Sequence, residues 1–353
     1  MTKRIRVLVV DDSSFMRSAL VRMIETNPRF EVVGTAENGQ KGVEMAKQLR
    51  PDAMTMDIEM PVMNGIEALR EIMASVKTPV IMISTLSEAG AKITLEALSI
   101  GAVDFIPKAL HDKGGNIFRE AETLQAKLMA AAGVADASPV APKVPGTPAP
   151  AAVVAGPVKL AAAPVGRIAP QMVVIGSSTG GPRALQSVVA ALPENIKVPV
   201  VVAQHMPAEF TKALANRLDE TCKVRVVEAA DGMAVQAGQV YIAPGGKHLR
   251  VEGGVFKTAD DAGESLYKPS VDVLADSARK AYGRNVLAVM LTGMGNDGTR
   301  AFCALKGDGA YVLAQDQATS VVYGMPKAVA DAGAVHEVLP LEAIGGRIGE
   351  LVR

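Results

Sequence analysis

Two α/β domains, each built on a doubly wound parallel sheet, are predicted for this chain by three observations. Short apolar runs alternate with amphipathic segments through the first 110 or so residues. A tract of Ala, Pro, Val and Gly then interrupts the chain at about 134–170, and beyond it strand, turn and helix patterns resume. The length agrees, since 353 residues exceed one typical core and suit two.

In the first domain, 1–133, the apolar runs at 5–10, 30–36, 52–56, 79–83 and 103–106 are predicted strands with helices between them. A sheet of this kind binds its ligands beyond the carboxyl ends of its strands. Asp11, Asp12, Asp57, Ser84 and Lys108 all fall at such ends. The tract 134–170, nearly all Ala, Pro, Val and Gly with scattered Lys143, Lys159 and Arg167, favours extended conformations that cannot pack, so it is predicted to be a flexible linker. In the second domain, 171–353, a strand at 171–176 leads through a glycine-rich turn to a helix at 182–192. Further strands are predicted at 198–203 and 286–291, with His248 in a hairpin loop between them.

Composition excludes some functions. Thirty-seven basic side chains balance 37 acidic ones, so no chain-wide field favours nucleic acid. Two aspartates cut the first apolar run, far short of a signal-peptide core or the roughly 20 residues of a spanning helix. No direct membrane insertion is expected. Cys222 and Cys303 form no ligand or redox motif and are expected to be reduced thiols, which favours a cytoplasmic location.

Asp11 and Asp12 alone would suit a solvated turn. With Asp57 they place three carboxylates in one pocket, a repulsive arrangement unless a cation is bound, and an all-oxygen set suits Mg²⁺. Ser84 and Lys108 add a hydroxyl and an ammonium for the oxygens of a phosphoryl group on Asp57. The runs Val9-Val10-Asp11-Asp12-Ser13 and Pro51-Asp52-Ala53-Met54-Thr55-Met56-Asp57-Ile58-Glu59-Met60-Pro61-Val62-Met63-Asn64-Gly65, with Ser84 and Lys108, resemble a response-regulator receiver domain, a flavodoxin-like fold. The resemblance implies that Asp57 takes phosphate from a chemotaxis histidine kinase. It also implies that Asp11, Asp12, Asp57 and the Glu59 carbonyl surround Mg²⁺, and that Phe105 is the aromatic switch. One departure is that proline precedes Lys108, as Pro107, and Ala109 follows it. The usual cis bond of that loop is therefore in question, although Lys108 is still expected to reach the site.

The turn Gly176-Ser177-Ser178-Thr179-Gly180-Gly181 admits a phosphate cradle, a nucleophile at a tight turn, or a plain Gly/Ser turn. A dinucleotide fingerprint would put glycine at 178 and an acid after the next strand, where Gln204-His205 stands instead. A serine nucleophile needs a base and an acid to orient it. His205 follows a strand and is the preferred base over His248 and His336, and Asp297 lies in the turn Thr292-Gly293-Met294-Gly295-Asn296-Asp297-Gly298. The chain order Ser, His, Asp differs from that of α/β-hydrolases.

The segments 175–182, Gln204-His205-Met206-Pro207, Ala243-Pro244-Gly245-Gly246-Lys247-His248-Leu249 and 291–298 resemble the CheB methylesterase domain, a Rossmann-like α/β fold. With the receiver in front, the family implied is the chemotaxis response regulator protein-glutamate methylesterase. By that resemblance Ser178 is the nucleophile, His205 the general base and acid, Asp297 its orienting partner, and the Met294 amide an oxyanion donor. The substrates implied are methyl-accepting chemoreceptors, with glutamine deamidation open and no cofactor in the catalytic domain. Two other classes stand beside this reading. A phosphorylation-gated transcription factor would need a helix-turn-helix pattern, and none follows the linker. A gated binding protein with an inactive hydrolase-like domain would have no need to keep Ser178, His205 and Asp297 together.

Overall fold

A computed structural model describes residues 3–108, 117–133, 169–260 and 267–353. Apart from 169–170, the proposed linker lies outside the described residues, as does Ala109.

The first domain runs β1 (Ile5–Val10), α1 (Ser14–Glu25), β2 (Phe30–Ala36), α2 (Gly39–Leu49), β3 (Ala53–Asp57), α3 (Gly65–Ser75), β4 (Val80–Ser84), α4 (Glu88–Ile100), β5 (Asp104–Pro107) and α5 (Ile117–Ala131). Several helix starts follow from capping side chains that take up otherwise unsatisfied amides. Ser13 Oγ accepts from Met16 N, Asn38 Oδ1 from Lys41 N and Ser87 Oγ from Gly90 N, and Asn64 and Glu67 close a reciprocal capping box. The sheet is parallel in the order β2-β1-β3-β4-β5. The strand order changes sense between β1 and β3, so the crevice beyond those two strands lies between Asp11 and Asp57.

The second domain continues β6 (Met172–Ser177), α6 (Gly181–Ala190), β7 (Val200–Gln204), α7 (Ala208–Thr221), β8 (Arg225–Glu228), β9 (Gln239–Ile242), β10 (His248–Glu252), β11 (Val255–Ala259), α8 (Val271–Tyr282), β12 (Val286–Met290), α9 (Thr299–Gly307), β13 (Tyr311–Gln315), α10 (Met325–Asp331), β14 (Glu337–Leu339) and α11 (Leu341–Leu351). Seven strands form a parallel sheet in the order β14-β13-β12-β6-β7-β9-β8. Both neighbours of β6 are thus strands whose carboxyl ends open onto the same crevice. The strands β6, β7, β12 and β13 are buried throughout, as expected where helices cover both faces, and so read as apolar runs rather than alternation.

Most strand boundaries fall within one or two residues of expectation. His248 differs, for it is buried and begins β10 opposite Ala259 rather than lying in the hairpin's loop. No helix among the described residues is long and apolar enough to cross a membrane. Cys222 and Cys303 are free thiols.

The two domains are in contact. The helix α4 packs on α7 and α6, and the Phe105 ring stacks on Phe210 of α7 with centroids 4.3 Å apart. Arg217 Nη2 donates to Ser99 Oγ at 2.9 Å. Inside the second domain, Phe302 of α9 is fully buried. Replacing it with alanine removes that packing and leaves a cavity, so Phe302→Ala is expected to cost about 3–5 kcal/mol, read from the urea midpoint of the far-UV signal.

Candidate active site

The turn around Ser178 is held from both sides. The Ser178 amide donates to Thr292 O at 3.0 Å, and Gly181 N donates to Ser178 O at 2.7 Å. Gly180 has φ 76°, and a Cβ there would lie 2.6 Å from Val321 Cβ. At Gly181 a Cβ would lie 1.9 Å from Gln204 Oε1. Glycine is therefore required at both positions, by conformation at the first and by close approach at the second. Gln204 stitches the adjacent strand ends together: its Oε1 accepts from Ser177 Oγ at 2.7 Å, and its Nε2 donates to Ser178 O and His205 O at 2.9 and 3.1 Å.

The pairing of Ser177 with Gln204, and the bond from His205 N to Ser177 O at 3.0 Å, set His205 beside the turn. Its Nε2 lies 2.7 Å from Asp297 Oδ2. Asp297 is itself anchored at the start of α8. Val271 N donates to Oδ2 at 2.6 Å, and Ser270 Oγ and Asp272 N donate to Oδ1 at 2.9 and 3.1 Å. Burial opposes ionisation, but the bond to His205 and the two amides prevail and hold Asp297 below the usual carboxylate range. The positive end of α8 acts in the same direction. An anionic Asp297 accepts a hydrogen bond from Nε2–H, which keeps the proton on that nitrogen and leaves Nδ1 of His205 as the basic one. Nδ1 is buried and has no hydrogen-bond partner among the described residues. Ser178 Oγ is not yet bonded to it and must close on it for proton transfer, as resting geometries often require.

The 292–297 loop lies against Ser178. A Cβ on Gly293 would come 2.8 Å from Ser178 Cβ, and Gly293 N is used by Val322 O. The next amide, at Met294, makes no hydrogen bond among the described residues and is open to an oxyanion. Gln315, fully buried at the end of β13, supports the loop by accepting from Thr292 N at 2.8 Å. His336 is stacked on Tyr311 and accepts from Val312 N through Nδ1, so its role is structural.

In the first domain, ligand oxygens of Asp11, Asp12 and Asp57 lie within 4.8 Å of one another. Lys108 Nζ donates to Asp57 Oδ2 at 2.6 Å and forms a looser ion pair with Asp11 Oδ2 at 3.7 Å. That Asp11 oxygen is buried without a hydrogen-bond partner. Burial and the Asp57 charge raise the Asp11 pKa to about 6, and burial outweighs Lys108 in raising that of Asp57. Uncompensated carboxylate charge with oxygen-only donors is the environment a hard cation such as Mg²⁺ relieves. Ser84 is buried and engaged outside this cluster, accepting from Thr94 Oγ1 at 2.6 Å and donating to Thr85 O at 3.3 Å. Phe105 is buried against Phe210.

Several contributors were not expected from sequence. Tyr267 stacks on the His205 ring. Ser270 anchors Asp297, and its place after Pro269 and before an apolar-periodic run is an N-cap signal that could have located the carboxylate's cradle. Asp104, ahead of Phe105, accepts from Thr179 Oγ1 at 2.7 Å, which joins the first domain to the residue after Ser178. Lys127 bonds the same Asp104 oxygen at 3.0 Å and caps the Phe105 ring.

Both parts of the chain match known protein families. A family model described as CheB methylesterase matches residues 173–348, and one described as response regulator receiver domain matches 7–114. The protein-glutamate methylesterase/protein-glutamine glutaminase 1 of Vibrio vulnificus is 46% identical over 368 residues, which cover 98% of each chain. The protein of the same description from Oleidesulfovibrio alaskensis is 44% identical over 96% of each. Among solved structures, the CheB methylesterase catalytic domain of Thermotoga maritima is 45% identical, with TM-score 0.50, and its whole length matches 52% of this chain.

A serine-directed fluorophosphonate provides a direct check on the site. Labelling is expected to disappear in Ser178→Ala and to slow by about 10³-fold or more in His205→Ala. Undiminished labelling of folded Ser178→Ala would move the nucleophile to another residue.

Proposed function

The chain belongs to the CheB methylesterase family, with a response regulator receiver domain ahead of the catalytic part, and on that premise we propose that it is a phosphorylation-activated serine hydrolase acting on glutamate methyl esters of chemoreceptors. The observation that carries the mechanism is the buried His205–Asp297 pair, which leaves Nδ1 without a hydrogen-bond partner among the described residues, on a residue bonded through its amide to Ser177, next to Ser178. In this proposal residues 1–133 are the receiver, 134–170 a tether and 171–353 the esterase. A phosphohistidine donor and receptor glutamates suit a cytoplasmic setting.

Ser178 Oγ attacks the ester carbonyl as Nδ1 of His205 takes its proton, and Asp297 steadies the imidazolium through Nε2. The Met294 N–H donates to the oxygen that gains charge. On collapse the C–O bond to methoxide breaks, His205 returns the proton, and methanol leaves an acyl-Ser178. Water then attacks with His205 again as base, which frees the glutamate carboxylate and Ser178. A glutamine side chain fits the same route with ammonia as the leaving group, and the names of the relatives support that second activity.

In the receiver, Asp57 is the phospho-acceptor, with a histidine kinase as donor. Asp11, Asp12, Asp57 and the Glu59 carbonyl would hold Mg²⁺, which supplies charge neutralisation for the phosphoryl oxygens. Lys108 already lies on Asp57, while Ser84 would have to leave Thr94 to reach a phosphoryl group. Ser84, Phe105 and Lys108 would thereby transmit the change to the contact with the esterase. In the resting protein that contact seats the receiver on the nucleophile turn through Asp104 and Thr179, and Met294 and Val322 pack against receiver core residues. The receiver thus blocks the site until phosphorylation releases it. A roughly tenfold activation needs only about 1.4 kcal/mol of bias. An inactive binding domain would have no use for an anchored acid, an open base and an open amide in one crevice.

Methanol release from methylated receptor is expected to require Ser178 and to rise with a small-molecule phosphodonor. Asp57→Asn should lose both phosphate incorporation and the rise. No methanol from folded wild type would reject the esterase, and activation that survives Asp57→Asn would reject its acceptor.

Asp104→Asn in the full chain should weaken one interdomain hydrogen bond worth about 1 kcal/mol, raising activity without phosphodonor by up to roughly fivefold. The phosphodonor-treated rate should change little. A fall in the untreated rate would mean that the receiver contact supports the site rather than blocks it.

A further inference from the structure

The imidazole of His205 is held at its edge by Asp297, but a single hydrogen bond at Nε2 does not fix the plane of the ring. A twist about Cβ–Cγ displaces Nδ1 more than Nε2, because Nε2 lies closer to the axis. Nδ1 is the atom that has to meet Ser178. Tyr267 lies flat against this ring, with centroids 4.1 Å apart and planes 3° from parallel. Any twist of the imidazole drives one of its edges into the phenol ring. The Tyr267 hydroxyl lies close to Gly295, where a Cβ would come 3.3 Å from its oxygen, so the ring borders the loop that carries the Met294 amide. Three residues further on, Ser270 and the amides of Val271 and Asp272 hold Asp297. The 267–272 segment therefore supports the base on its face and the acid at its carboxylate.

We infer that Tyr267 is a positioning residue for the hydrolysis, holding the plane of His205 so that Nδ1 faces Ser178. The inference rests on the reading of Ser178, His205 and Asp297 as the catalytic set. An aromatic face suits the task twice over, because it blocks the twist and attracts the imidazolium that forms as the proton is transferred. The hydroxyl is not required for either effect.

The test uses the full-length, phosphodonor-treated protein, with methanol release from methylated receptor and fluorophosphonate labelling measured side by side. Tyr267→Phe keeps the face and should stay within about twofold of wild type, whereas Tyr267→Leu should lower kcat on the order of 10–100-fold with KM nearly unchanged. Labelling of Ser178 should slow in parallel, with the thermal midpoint close to that of wild type. Should the leucine variant not fold, Tyr267→Met provides the same comparison of bulk without a π face. A Leu or Met variant as active as Tyr267→Phe, or a loss confined to KM, would overturn the role. Ser178→Ala and His205→Ala run alongside. If they are inactive while Tyr267→Leu is normal, only the role of Tyr267 fails. If they keep turning over, the catalytic set fails, and this role with it.

Discussion

Parallel strands deliver every chain exit to one edge of a sheet, and a reversal of strand order opens a crevice at that edge. Both candidate sites depend on this constraint. In the first domain the reversal separates β1 from β3 and gathers Asp11, Asp12 and Asp57. In the second, β6 lies between β7 and β12, so the loops after these three strands carry Ser178, His205 and Asp297. The chain order Ser, His, Asp follows from that strand arrangement and needs no kinship with other hydrolase folds.

Two buried carboxylate environments show how local donors decide chemistry. Asp297 receives two amides, a serine hydroxyl and the imidazole, which overcome burial and keep it ionised. Asp11 has one buried oxygen without a hydrogen bond and the Asp57 charge close by, and its pKa rises instead. The first arrangement is complete within the protein and suits permanent orientation of a base. The second sets only the Lys108 ammonium against three carboxylates and suits recruitment of a cation.

Much of this was legible in the sequence because apolar runs mark buried strands and chemistry sits at their ends. The glycines around Ser178 were informative for a steric reason, since neither Gly180 nor Gly181 tolerates a Cβ. Ser84 illustrates the limit, as its position at the end of β4 was predictable but its bond to Thr94 was not. Tyr267 was illegible because 62 positions separate it from His205 and it sits in no regular element. Asp104 was hidden in the same way, since its partner Thr179 belongs to the other domain and no periodicity reports an interdomain bond.

Asp104 also determines what the molecule leaves behind when its halves separate. Its carboxylate accepts from Phe105 N at 2.8 Å and pairs with Lys127 at 3.0 Å, both within the receiver. Of the Asp104 bonds, that from Thr179 crosses the boundary. Separation therefore strands no charge, and Thr179 can turn to water. The aromatic pair behaves differently, because parting Phe105 from Phe210 wets apolar faces that the contact had kept dry. The polar half of the seam comes apart at little cost, and the oily half supplies the tendency to close again, much as a magnetic catch lets a door be opened lightly and still brings it shut.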